Sequence, residues 1–184
     1  METNLEIEFK TKINHDEHLL IHDYFPFSEP VLQVNTYYDT KQQDLFKKGI
    51  MCRIRKVNDQ AILTIKEPQE LGVMEYEAIL KEDFLTDENA ALILKEFNIE
   101  AKDLEEITYS STVRYEYKDA YGVWCLDITQ FKHHKDFELE YELFHEDPQA
   151  EKHYLQTLQS IGIEYEAIEP KYLRALRSSE LKDQ

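Results

Sequence analysis

Apolar and charged residues alternate with a period of two along much of this chain. The first clear run is 5 to 10, where Leu5, Ile7 and Phe9 alternate with Glu6, Glu8 and Lys10. Successive side chains of a strand point to opposite faces, so one face carries two carboxylates and an ammonium and the other three apolar groups. The pattern predicts a strand over about 4 to 12. Similar runs predict strands over 31 to 40, 50 to 57, 60 to 67, 73 to 80, 107 to 118, 123 to 131 and 136 to 144. Asn58-Asp59 and Gly122 mark tight hairpins between neighbours.

Helical signals fall between or after these strands. Asn14 is a candidate cap for a short helix to Tyr24, with Leu19, Leu20 and Ile21 as its apolar patch. Residues 41 to 48 read as a helical turn closed by Gly49. Asp87 caps a helix to about Phe97, with Ala91, Leu92, Ile93 and Leu94 available for packing. Pro148 opens a helix carrying Tyr154, Leu155 and Leu158, and Pro170 opens a last one. Eight strands joined by hairpins or short helices suit an antiparallel sheet. The expected fold is mainly β with flanking helices (α+β): one domain over 1–184, an eight-stranded antiparallel closed barrel.

The charges sort by strand. Glu dominates the runs at 5–10, 73–80 and 136–144, and Arg or Lys those at 50–57, 60–67 and 107–118. Charged strand faces ordinarily face solvent around a sandwich core. Here Arg53 and Arg55 sit two apart on one face, where they repel unless something lies between them. The amphipathic helices are available to cover apolar faces from outside, which turns the charged faces into a lumen. Buried charges are costly unless paired, so such a lumen needs charged contents. Glu6 and Glu8 with Glu138 and Glu140 form a hard oxygen cage for Mg²⁺ or Mn²⁺. Arg53, Arg55, Lys66 and Arg114, with Lys10, Lys171 and Arg174, form a lining for phosphate oxygens. Acids for metal beside bases for anions is what a metal–polyphosphate complex requires, and phosphoryl transfer is mostly positioning and electrostatics. Tyr37 is either a packing residue or a candidate to hydrogen-bond an attacking water, with Lys66 lowering the cost of deprotonation.

Composition narrows this further. The net charge is −17, from 38 acidic and 21 basic residues. That field repels nucleic acid and anionic membranes, though not a small anion held by a local basic cluster. The polar N-terminus does not read as a signal peptide, and no apolar run approaches the ~18 residues of a spanning helix. Cys52 and Cys125 lack metal-ligand spacing and read as buried thiols of a reducing compartment. A cytoplasmic protein with a small-molecule partner, as monomer or homodimer, is expected. The seven His are scattered, and His133-His134 fall at a turn.

Taken in order, Glu6-x-Glu8-x-Lys10, Thr36-Tyr37-Tyr38-Asp39-Thr40, Arg53-Ile-Arg55, Thr64-Ile-Lys66, Glu75-Tyr-Glu77, Thr112-Val-Arg114, Leu126-Asp127, Glu138-Leu-Glu140 and Lys171-Tyr-Leu-Arg174 resemble the CYTH domain, or triphosphate tunnel metalloenzyme, family over nearly the whole chain. The resemblance implies a tunnel that acts on triphosphates with a divalent metal. It implies that Glu6, Glu8, Glu138 and Glu140 hold metal, with Asp127 near them. It implies that Lys10, Arg53, Arg55, Lys66, Arg114 and Lys171 grip phosphates and that Glu75 and Glu77 are acidic lining. Glu142 continues the Glu138/Glu140 face, so the metal pair on that strand is either Glu138/Glu140 or Glu140/Glu142. Hydrolysis of a triphosphate to a diphosphate plus phosphate is the first reading. Inorganic tripolyphosphate is its leading substrate, because no base- or thiazole-binding motif is recognisable. The rival readings are a class IV adenylyl cyclase and a binding module without turnover.

Overall fold

The structure is a computed structural model that describes residues 1–181; the last three residues of the expected 1–184 domain lie outside it. It is mainly β with four helices, and all the strands join one antiparallel sheet that curls around a lumen. The strands are β1 (Glu2–Glu6), β2 (Glu8–Ile13), β3 (Val31–Thr40), β4 (Met51–Val57), β5 (Gln60–Pro68), β6 (Val73–Leu80), β7 (Leu104–Lys118), β8 (Gly122–Gln130) and β9 (Lys135–Leu143). Their order is β1-β6-β5-β4-β3-β7-β8-β9-β2.

The first expected strand is therefore two. It breaks at Ile7, and its halves are the two edges of the sheet: Glu6 pairs with Val73 of β6, and Glu8 with Glu142 of β9. The covalent chain through Ile7 closes the ring, and the Ile7 carbonyl accepts the Leu143 N–H at 2.8 Å. The seam is tight on both sides. A Cβ on Gly72, whose φ is +74°, would lie 2.3 Å from the Glu6 carbonyl oxygen, and one on Gly122 2.1 Å from that of Glu142.

Alternation divides each strand between lumen and outer cover. Cys52, Ile54, Leu63 and Ile65 pack outward under α2 (Glu88–Glu96), which contributes Ala90, Ile93 and Leu94. Leu126, Leu139, Trp124 and Tyr141 pack outward against α1 (His15–Tyr24) and α3 (Ala150–Ile161). Each fully buried large apolar side chain contributes about 1.5–3 kcal/mol. A third cluster, Tyr37, Met51, Phe131, Tyr172 and Ala175, seats α4 (Lys171–Glu180).

Several expected helix contacts are displaced by one position. Leu19 and Leu20 are half exposed; Ile21 is buried as expected, and His18, one turn before it, takes the second inward place on α1. On α2, Leu92 is exposed and Ala90 takes the inward place expected for Ala91; on α3, Leu155 is exposed. Among the described residues, no helix is long and apolar enough to cross a membrane.

His18 sits against the Phe137 and Tyr115 rings with Nδ1 unpartnered. Burial, with His22 and His15 adding like charge, pushes its imidazole down to about 4 from 6.5. The unfolded chain then binds this proton first as pH falls, so stability is complete above pH 6.5 and is lost from there toward 4. The midpoint of urea unfolding is expected to fall between pH 7 and pH 5, and to fall less in His18→Phe. Equal slopes in both proteins would remove His18 as the cause.

Candidate active site

The curled sheet encloses a cavity of about 480 Å³. Lys10, Arg53, Arg55, Lys66, Arg114 and Lys171 line it, with Glu6, Glu8, Glu75, Glu77, Glu116, Glu140 and Glu142, and Tyr37. Most residues singled out from the sequence thus converge on one space. Asp127, Glu138 and Arg174 do not reach its wall; they lie packed behind it.

That packed layer is an ion network. Arg114 makes a two-pronged contact to Asp127 at 2.8 and 2.7 Å, reaches Glu140 at 2.7 Å and Glu142 at 3.1 Å. Lys171, carried in by the first turn of α4, contacts Asp127 at 2.7 Å and both Glu138 and Glu140 at 3.3 Å. Arg174, one turn on, pairs with Glu138 and with Asp136 at 2.7 Å. Burial opposes the charges of Asp127 and Glu140, yet Arg114 and Lys171 outweigh it. They hold Asp127 below and Glu140 well below the usual carboxylate range. Asp127 and Glu138 are fully buried counter-ions of the cations around them.

The acids facing the lumen divide into raised and lowered groups. Glu8, Glu140 and Glu142 bring one carboxylate oxygen each to within 4.8 Å of one another. Burial and the neighbouring Glu140 push Glu8 up to about 7, with Lys10 at 2.9 Å only partly offsetting them. Burial raises Glu142 too, eased by Arg114. Across the seam, Glu6 meets Lys66 at 2.6 Å, which overcomes burial and brings it down to about 2. Burial and a hydrogen bond with Glu6 push Glu75 up to about 8. Crowded carboxylates, Glu8, Glu75 and Glu142 with raised proton affinity and Glu6 and Glu140 with lowered, offer the hard oxygen donors that a divalent cation takes.

Arg53 and Arg55 are the reverse case. They project from the middle of β4, and among the described residues neither has a carboxylate within 4.0 Å. Arg53 is 7% exposed and its Nε has no partner. Arg55 Nε donates to Asn35 Oδ1 at 2.8 Å, and Asn35 donates on to Ser110 at 3.5 Å. Burial, then Arg53 and Arg114, push the Arg55 guanidinium down to about 9. Tyr37 shares a hydrogen bond of 3.3 Å with Ser110 and packs on Tyr172, their ring centres 5.1 Å apart. Sequence reasoning did not single out Asn35, Ser110 or Gln33, since neutral polar residues carry no charge signal. Glu116 lines the cavity from the same strand, β7, as Arg114.

A ring of antiparallel strands with acids and bases facing each other across a lumen defines a tunnel protein built for a charged occupant. The CYTH domain matches residues 4–173, and the chain belongs to that family. A Bacillus subtilis (strain 168) protein named "Putative triphosphatase YjbK" is 29% identical over 184 residues, covering 95% of each chain. A Bacillus halodurans crystal structure described as "a putative adenylate cyclase" superposes with a TM-score of 0.82 at 25% identity, over 95% of this chain and 98% of its own. A Hippeastrum structure superposes with a TM-score of 0.76 at 23% identity, over 99% of this chain and 98% of its own; that protein is described as a "putative adenylyl cyclase" that reveals a dominant triphosphatase activity.

Proposed function

We propose that this chain is a cytoplasmic, divalent-metal-dependent triphosphatase that cleaves a triphosphate to a diphosphate plus phosphate inside the tunnel. One observation carries the reading: unneutralised Arg53 and Arg55 share a cavity with the crowded carboxylates Glu8, Glu140 and Glu142. The likeness to a relative named as a triphosphatase supports it.

Arg53 and Arg55 bind the phosphate chain, Asn35 fixes the direction of the Arg55 fork, and Lys10, Lys66, Arg114 and Lys171 complete the grip. Glu8, Glu140 and Glu142, with Glu6, would hold Mg²⁺ or Mn²⁺. The metal supplies charge neutralisation at the phosphates and a water of lowered pKa. Glu75 and Glu77 set the charge balance of the wall; Glu77 accepts from Thr64 at 2.9 Å. The Tyr37 hydroxyl, held by Ser110 in the wall, orients the water. Asp127 and Glu138 position Arg114, Lys171 and Arg174. In this reading the metal pair on β9 is Glu140/Glu142, the second of the two registers; Asp127, Glu138 and Glu140 also bring carboxylate oxygens within 4.8 Å of one another, and there they serve the cations around them.

The adenylyl cyclase reading is favoured by the descriptions of the Bacillus halodurans and Hippeastrum neighbours as "putative" cyclases, the second of them with a dominant triphosphatase activity. One product assay separates the readings. Metal-stripped protein is given tripolyphosphate, thiamine triphosphate or ATP with Mg²⁺ or Mn²⁺, beside Glu6→Ala/Glu8→Ala. Phosphate release that disappears in the double variant is expected. Cyclic AMP with pyrophosphate would make the chain a cyclase, and binding without turnover would make it a binding module.

A further inference from the structure

The inner faces of β3 and β7 carry neutral polar side chains that pair in register: Gln33 with Thr112, Asn35 with Ser110 and Tyr37 with Thr108. All but one are spent on the wall. Thr112 shares a hydrogen bond of 2.9 Å with Thr129, and Thr108 donates to the Ala175 carbonyl at 3.3 Å. Asn35 accepts from Arg55 and donates to Ser110, which the Tyr37 hydroxyl also reaches. Gln33 is the exception. It lines the cavity and is 7% exposed, and its Oε1 has no hydrogen-bond partner among the described residues. A buried acceptor without a donor lowers stability, so the fold gains nothing from this oxygen.

The surroundings of Gln33 narrow the donor it awaits. Arg114 pairs with Val31, which makes it the diagonal neighbour of Gln33 on the inner face, and Arg55 pairs with Asn35, the next inward residue along β3. Gln33 therefore sits between two of the cations assigned to the phosphate chain. Both are engaged elsewhere: Arg55 Nε by Asn35, and Arg114 by Asp127, Glu140 and Glu142. Ionised phosphate oxygens offer the amide oxygen only further acceptors. A water has an O–H to give it and an oxygen to bring to phosphorus. The Tyr37 hydroxyl, meeting Ser110 opposite Asn35, lies one cross-strand pair from Gln33 on the same face.

We propose that Gln33 is a catalytic residue that touches the attacking water: Oε1 accepts one water O–H, and the amide N–H₂ donates to the phosphoryl oxygen beside it, which aims the water oxygen at the terminal phosphorus. The inference rests on the reading of the cavity as a triphosphatase site, and it gives the water a second contact besides Tyr37. In the step, the water oxygen bonds to the terminal phosphorus as the bridging P–O bond breaks, and that electron pair leaves on the diphosphate. One water proton stays on the phosphate formed and the other passes to solvent. The amide takes neither; its contribution is orientation.

The test is Gln33→Met, which keeps the length of the side chain and removes both hydrogen-bonding groups. Phosphate release is followed with Mn²⁺ and whichever of tripolyphosphate, thiamine triphosphate and ATP the wild type cleaves. Affinity is read with the non-hydrolysable diimido analogue of tripolyphosphate. In the variant kcat is expected to fall about 100-fold, with analogue affinity within about threefold and the urea midpoint unchanged or raised. A fall in kcat of less than about tenfold would overturn the inference. So would analogue affinity falling as far as kcat, the mark of a phosphate ligand, or a lowered midpoint, the mark of a structural member of the wall. The triphosphatase reading survives each of these results. A wild type that releases phosphate from none of the three substrates would overturn both.

Discussion

Glu140→Gln is expected to abolish turnover and weaken the fold together. Glu140 faces the cavity as one of three crowded carboxylates, and it is also the counter-ion of Arg114 and Lys171. Removing one member of a buried ion pair leaves its partners uncompensated, which costs about 3–5 kcal/mol. Loss of a group that organises charge at the reacting phosphates costs about 10²–10³ in kcat. Its two neighbours on β9 separate these roles. Glu138 is fully buried with Arg174 and Lys171 and does not reach the cavity, so Glu138→Gln is expected to lower the unfolding midpoint with turnover within about tenfold of the wild type. Glu142 lines the cavity, and its carboxylate is held at raised pKa by burial and by Glu140. Glu142→Gln relieves that crowding, so it is expected to preserve or raise the unfolding midpoint while reducing kcat about 100-fold. Urea unfolding and kcat on the same preparations read both quantities. An inactive, stable Glu138→Gln beside an active Glu142→Gln would shift the metal pair to Glu138/Glu140.

Arg55→Met carries the second large effect, with opposite signs for stability and binding. Methionine keeps the length of the side chain and removes a buried charge that has Arg53 beside it and no carboxylate partner among the described residues. A hydrogen bond to a charged group contributes about 1.5–3 kcal/mol, so affinity for the triphosphate is expected to fall about 10- to 100-fold. The fold is expected to hold or gain stability, since a desolvated and repelled cation is gone. The rise in KM and the urea midpoint measure the two. Unchanged KM would remove Arg55 from the phosphate grip, and a weakened fold would mean that its charge is already compensated.

How much of this was legible in the sequence depends on the range of the interaction. β3 matches its expected bounds because its β-branched and aromatic residues run from just after Pro30 to the turn at 41. The start of α1 was legible because Asn14 and Glu17 form a reciprocal cap, the Glu17 N–H donating to Asn14 at 2.8 Å. The break at Ile7 was not, because alternation continues straight through it. Only the need to reach both edges of the sheet interrupts the strand there. For the site, a period of two says which face Glu138, Glu140 and Glu142 share, not how far along the tunnel each one lies. That depth is set by strand register and by α4, which brings Lys171 and Arg174 behind β9 from more than thirty residues away.

The central claim is that one cavity holds an anion by its arginines and a metal by its carboxylates, each strengthening the other. Titration of inorganic tripolyphosphate into the protein with and without Mn²⁺ tests it most directly. The account predicts affinity at least about tenfold higher with Mn²⁺, the size of a typical coupling between two sites, and no such gain in Glu142→Gln. Affinity that is the same with and without the metal, or a gain that survives in Glu142→Gln, would contradict it.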